Sequence, residues 1–347
     1  MKLSLPTLAA LALAAPAAAQ LGEGEPLAIA TTYTVQSDIL GADRKVSVRL
    51  PAGYDEQPDM RFPVVYVLDG GPEQDFPHIA GIAQSRDMNW TFDRFILVGI
   101  ESRERRRYFA PPAADPAPYV EMLGTEPGGT AEYRRFLREE IKPLIDAQFR
   151  TSGHDAVMGE SLAALFVVET LFEEPTLFGD FIAISPSLWW ERMKFGREAE
   201  ARLAKLPQED GTRRLYLTVA NEGVWHREGM ERLVDALRDH APENLRWTFV
   251  PVHESETHGS LYHPMALDAF RTLFPMPTRE YKADGLLGGM ASAKDSPEEL
   301  ARKDQECTLA NSRVTTPGAA SQGLDRLYYE CLILDLGPTP REGNLVP

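Results

Sequence analysis

Short, unbroken apolar runs recur along this chain, and stretches with helical spacing separate them. Residues 63–68 and 95–100 are apolar at almost every position, shorter runs follow at 156–158, 181–184 and 215–219, and a last strand candidate lies at 246–252. A strand with one wet face alternates apolar and polar residues, whereas a strand covered on both faces is apolar throughout. Helical periodicity lies between the runs, at 130–149, 162–172, 227–239 and 264–273. Strands alternating with helices predict an α/β class, with a mostly parallel central sheet and helices on both faces. Two earlier segments, 29–35 and 45–50, do alternate, which predicts antiparallel edge strands ahead of the parallel core. No internal repeat is visible.

The two ends of the chain differ from this middle. Residues 1–20 read as an export leader, with Lys2 before an apolar stretch and the small residues Ala17, Ala18 and Ala19 at its end. That stretch, broken by Pro6, is shorter than the roughly 20 apolar residues a membrane span needs, so no stable membrane anchor is expected. A periplasmic or secreted location follows. From residue 277 to 347 the chain turns rich in Gly, Pro, Ser and charge, with a short helix candidate at 297–305 and a strand candidate at 326–336. The expected division is therefore a leader over 1–20, a core domain over 21–276 and an extension of unread role over 277–347. Cys307 and Cys331 both lie in the extension and can close a disulfide in an oxidising compartment; two buried thiols are the alternative. The net charge of −16 disfavours nucleic acid and anionic membrane surfaces as partners.

The segment Met158-Gly159-Glu160-Ser161-Leu162-Ala163 follows an apolar strand and opens a helical stretch. A serine nucleophile on a sharp strand-to-helix turn needs that context, with small residues two positions to either side. The helix N-terminus adds free N–H groups and partial positive charge beside the hydroxyl. Such a serine needs a base and a group to orient that base. Glu222 lies just past the strand at 215–219, and His258 lies in a loop between a strand and a helix, so the order is serine, acid, histidine. His253 and His263 compete for the base, and Asp235, inside a helix, is a weaker rival for the acid. His253, Glu254, Glu256 and His258 also admit a metal reading, although their spacing matches no helical zinc motif. An oxyanion hole needs two backbone N–H groups. Leu162 is expected to supply one. Gly71, in the loop Leu68-Asp69-Gly70-Gly71-Pro72, is expected to supply the other, since Pro72 has none.

These segments together resemble the Putative esterase family of α/β-hydrolases, which includes esterase D and the enterobactin-type siderophore esterases. The resemblance runs over residues 30–275. Residues 66–70 look like the family's early strand and oxyanion loop, and residues 98–100, with the arginines to Arg107 and Pro111, look like its next strand and loop. Gly159–Ala163 matches the elbow, with Ala163 where the family more often has Gly. The stretch from Ile184 through Ser185, Pro186, Ser187 and Leu188 to Trp189 and Trp190 is the most specific match and points to the siderophore-esterase branch. Residues 257–260 correspond to the segment carrying the family's histidine.

The resemblance implies an α/β-hydrolase fold and hydrolysis of a small-molecule ester through an acyl-enzyme on Ser161, with His258 as base and neither metal nor organic cofactor. It implies that arginines of the loop 101–129, Arg107 among them, meet catecholate or carboxylate groups, and that Trp189 and Trp190 serve as core aromatics or substrate platforms. A trilactone siderophore, a short-chain acyl ester and an acylated carbohydrate all remain open as substrates. The alternatives are acyl transfer to a sugar or lipid acceptor, and an inactive hydrolase scaffold that binds a ligand.

Overall fold

A computed structural model describes residues 22–89, 91–208, 211–252, 255–275 and 341–345. The leader, both cysteines, His253, Glu254 and the candidate elements at 297–305 and 326–336 lie outside the described residues.

The chain opens with a hairpin of β1 (Thr31–Ser37) and β2 (Ala42–Arg49), paired antiparallel from Thr31 opposite Val48 to Ser37 opposite Ala42. Strand β3 (Phe62–Val67), helix α1 (Phe76–Asn89) and strand β4 (Ile96–Ile100) follow. The short helices α2 (Arg105–Tyr108) and α3 (Ala117–Leu123) lead to α4 (Thr130–Phe136), a π-helical turn (Leu137–Ile141) and α5 (Lys142–Gln148). Next come β5 (Thr151–Glu160), α6 (Leu162–Glu173), β6 (Asp180–Ile184), α7 (Trp190–Arg197) and α8 (Ala199–Leu203). The series ends with β7 (Arg213–Val219), α9 (Val224–His240), β8 (Leu245–Pro251), α10 (Tyr262–Leu273) and a two-residue strand β9 (Glu342–Gly343).

The strands form one sheet in the order β1-β2-β4-β3-β5-β6-β7-β8-β9. Strands β3 to β8 run parallel, while β1, β2 and β9 are antiparallel to their neighbours at the two edges. This is the α/β architecture, a mostly parallel sheet with helices on both faces, that the apolar runs predict, and it agrees with the fold the resemblance implies. Successive side chains of a strand feed opposite faces. Val64, Tyr66, Ile96, Val98, Phe181 and Leu215 pack into one core with α4, α5, α6, α7, α8 and α9. Their neighbours Val65, Val67, Leu97, Ile182 and Tyr216 pack into a second core under α1 and α10. With a core on each face, the middle positions of β3 to β7 are shielded from water, and the runs there are therefore apolar.

Two departures have local causes. Residues 130–149, which the spacing predicts as a single helix, are divided by the π-helical turn just before Pro143. Proline has no N–H for the helix ladder and its ring crowds the carbonyl four residues back, so the extra residue of a π turn relieves both problems. Residues 341–345 dock on the sheet edge. The N–H groups of Asn344 and Leu345 both donate to Trp247 O at 3.0 Å, and Trp247 N donates to Asn344 Oδ1 at 2.8 Å. Part of the chain beyond 277 thus completes the sheet.

Candidate active site

The site is built at the C-terminal ends of the parallel strands, where open α/β sheets bind their ligands. Ser161 is the single residue between β5 and α6, with φ 60° and ψ −118°. A non-glycine residue held there costs about 1–3 kcal/mol and persists only when its surroundings dictate it. The surroundings are specific: Ser161 N donates to Ile184 O at 3.1 Å, and Ser161 O accepts from Leu165 N at 2.9 Å and Ser187 N at 3.1 Å. Gly159 makes the turn possible. A Cβ built on it would lie 2.7 Å from both the carbonyl carbon and the Cβ of Ala163. The bare Gly159 is what lets Ala163 carry its methyl group.

Ser161 Oγ lies 3.3 Å from Ser187 Oγ. That is long for a bond between hydroxyls, which centres near about 2.7–2.8 Å, so the contact is weak and readily exchanged. Among the described residues no hydrogen bond joins Ser161 Oγ to His258, but both side chains line one cavity of about 640 Å³. Glu222, three residues past β7, lines it too, with a side chain only 6% exposed. Its Oε1 lies 3.1 Å from His258 Nδ1, close enough for an ion pair though not aligned for a straight hydrogen bond. Ser185 Oγ donates to the same carboxylate oxygen. The segment 185–187 therefore places one serine on the acid and another on the elbow hydroxyl.

Charge in the cavity is strongly organised. The adjacent Glu222 carboxylate holds the His258 imidazole above its ordinary range, against the opposing effect of burial. Burial alone would push the Glu222 carboxyl up, but the neighbouring His258 and His226 rings and the Ser185 hydroxyl outweigh it and leave it below the usual range. Glu160, beside the elbow serine, goes the other way. Burial, reinforced by Asp75 and Glu222, pushes its carboxyl up to about 7, although His258 and Arg105 oppose the shift.

The walls sort the remaining candidates. Leu162 lines the cavity as the first residue of α6, where a helix N–H has no intrahelical partner. Gly71 is buried, and its N–H donates to Gln74 Oε1 at 3.1 Å. The glycine pair is explained by packing: a Cβ on Gly70 would sit 2.5 Å from Gly99 Cα and 2.4 Å from Val67 O. Arg105 and Arg106 line the cavity. Arg105 is clamped on Asp69, with Nε at 2.9 and 3.1 Å from the two carboxylate oxygens, and Arg106 Nη1 donates to Leu123 O at 3.0 Å. Arg107 is not among the lining residues. Three successive residues of one helical turn point in different directions, and Arg107 pairs with Glu132 at 3.4 Å and lies over the Tyr108 ring. Trp189 lines the cavity, whereas Trp190 is fully buried against Tyr119 with ring centroids 4.2 Å apart. The two tryptophans divide into one wall residue and one core residue.

Asp235 pairs with Arg238 on the surface, and His263 packs against His78 rather than into the cavity. Among the described residues no group of histidines, cysteines and carboxylates is arranged to hold a metal ion. Ser185, Ser187, Glu160 and His226 join the site unannounced. The paired serines around Pro186 and a histidine four residues after Glu222, one helical turn on, are the signals that point to three of them.

The profile of the family described as "Putative esterase" matches residues 37–248, more than half of the chain. The chain belongs to this family. Among curated relatives, this esterase-family chain is 33% identical over 95 residues to the siderophore enterobactin esterase of Emericella nidulans, across 26% of this chain and 30% of that protein. It is 30% identical over 156 residues to the ferri-bacillibactin esterase BesA of Bacillus subtilis, across 41% and 50% of the two. The chain thus spans half or less of the length of these two relatives. In structure it is similar to an IroE-like serine hydrolase from Shewanella oneidensis, with a TM-score of 0.63, 22% identity, and coverage of 88% of this chain and 98% of that one. That likeness is one of fold.

Proposed function

We propose that this member of the Putative esterase family is a serine hydrolase of small-molecule carboxylic esters, with Ser161 as nucleophile, His258 as base and Glu222 as the carboxylate that orients the base. One observation carries the reading. The Glu222–His258 pair, 3.1 Å apart, shares a single cavity with a serine held at φ 60° between strand and helix.

In this reading His258 takes the Ser161 proton as Oγ attacks the ester carbonyl carbon. The weak Ser187 contact gives way to the imidazole. Leu162 N–H faces the developing oxyanion, and Gly71 N–H becomes available as a second donor once the Gln74 side chain turns away. The tetrahedral intermediate expels the alcohol, which takes the proton from His258 and leaves an acyl group on Ser161. A water deprotonated by His258 then attacks that acyl group, releasing the acid and restoring the serine.

Arg105, Arg106 and Trp189 in the wall suit an ester bearing anionic or aromatic groups, and the relatives named as a siderophore enterobactin esterase and a ferri-bacillibactin esterase support that substrate class. The leader-like residues 1–20 favour action outside the cytosol.

The test is a panel of esters, from short p-nitrophenyl esters to a ferric trilactone siderophore, with products analysed with and without an added sugar or lipid alcohol. The expected result is free acid as product, with the highest kcat/KM on esters carrying catecholate or carboxylate groups. A product that is an ester of the added alcohol, in preference to free acid, would replace hydrolysis by acyl transfer. No turnover of any ester would overturn the reading.

A further inference from the structure

Glu222 holds more than His258. A glutamate has one more rotatable bond than an aspartate, so its carboxylate orients an imidazole only if it is itself restrained. Oε1 meets the Ser185 hydroxyl and His258 Nδ1. The other oxygen, Oε2, lies 3.2 Å from Nε2 of His226.

His226 sits in the first turn of α9, and its own N–H donates to Gly223 O at 3.0 Å. Its ring lines the cavity, standing edge-on to Trp189 at 6.2 Å and 6.3 Å from the ring of His258. The carboxylate is thus gripped from both sides by imidazoles carried on different elements, α9 and the loop before α10. The chemistry of the second grip matters. A lysine or arginine on Oε2 would neutralise the charge that must stabilise the His258 imidazolium. A neutral imidazole N–H restrains the oxygen and leaves that charge in place. Burial holds His226 below its ordinary range, which keeps it neutral at neutral pH.

We propose that His226 is a positioning residue of this site: by holding its Nε2 edge 3.2 Å from Glu222 Oε2 it restrains the carboxylate and, through it, the ring of His258. The inference rests on the triad reading of Ser161, His258 and Glu222.

The test compares His226→Phe, which keeps a ring but has no donor, with His226→Gln, which keeps an N–H. Steady-state kinetics on the best ester and thermal unfolding are measured for both. Loss of this polar contact to a charged group predicts that His226→Phe lowers kcat by about 10- to 100-fold with little change in KM. His226→Gln should recover most of that loss, and Tm should hold in both variants. If His226→Phe does not fold, His226→Ala carries the same comparison. A His226→Phe enzyme with wild-type kcat would overturn the inference and leave the triad standing. So would a rise in KM alone, which marks a substrate contact, or an equal loss in the phenylalanine and glutamine variants. A wild-type protein whose turnover does not depend on Ser161 would overturn the triad and the inference together.

Discussion

Replacing Ser161 by alanine is expected to lower kcat by about 10⁴-fold or more while leaving the fold intact. Alanine also carries a Cβ, so the strained φ of 60° is neither relieved nor worsened, and the backbone bonds to Ile184, Leu165 and Ser187 remain. Only the attacking oxygen is lost. His258→Ala is expected to cost a similar factor, because a hydroxyl without a base is a poor nucleophile at neutral pH. The double variant should be no worse than either single one, since residues that act as a unit do not lose activity additively. Kinetics on the best ester, with circular dichroism to verify folding, check all three. If the double variant instead lost the product of the two factors, the pair would be acting independently and the shared mechanism would fail.

Glu222→Gln is expected to lower kcat by about 10²- to 10⁴-fold and to move the acid limb of the kcat/KM profile to lower pH. The sign follows from the charge balance. His258 acts as base only when unprotonated, and Glu222 is the leading cause of its raised pKa. Removing the carboxylate lets that pKa fall, so the ring stays neutral further into acid. The plateau nevertheless drops, because the imidazolium formed during attack has lost its counter-charge and an amide can hold the wrong tautomer. A pH–rate profile across neutrality measures both effects. An unmoved acid limb would mean that His258 answers to another group.

Much of the fold is legible in the chain because two cores demand apolar residues on both faces of the central strands. Helix α1 is not legible: Pro77, Gly81 and the polar stretch from Gln84 to Asp87 blur its period, and it is held by packing of Phe76, Ile79 and Ala80 under the sheet. The elbow is legible because the turn imposes steric rules on close neighbours, and Gly159 meeting Ala163 at 2.7 Å is such a rule made visible. Direction between adjacent residues is not. Trp189 and Trp190 differ by one position and go to opposite surroundings, as do Arg106 and Arg107, because a single helical step turns the side chain by about 100°. His226 escapes notice for a related reason. Spacing alone predicts a helix from residue 227, whereas α9 begins at Val224, and only that earlier start brings residue 226 onto Glu222. Gly71 shows the converse: the sequence marks a glycine that frees the backbone, but the amide it frees is taken by Gln74.

The central claim concerns one oxygen atom, and a fluorophosphonate probe reads it directly. The protein is labelled near neutral pH, digested, and the modified residue located by mass spectrometry. The expected result is one phosphonylated site, at Ser161, whose labelling rate collapses in His258→Ala. Label on another serine, or undiminished labelling of Ser161 without His258, would contradict the account.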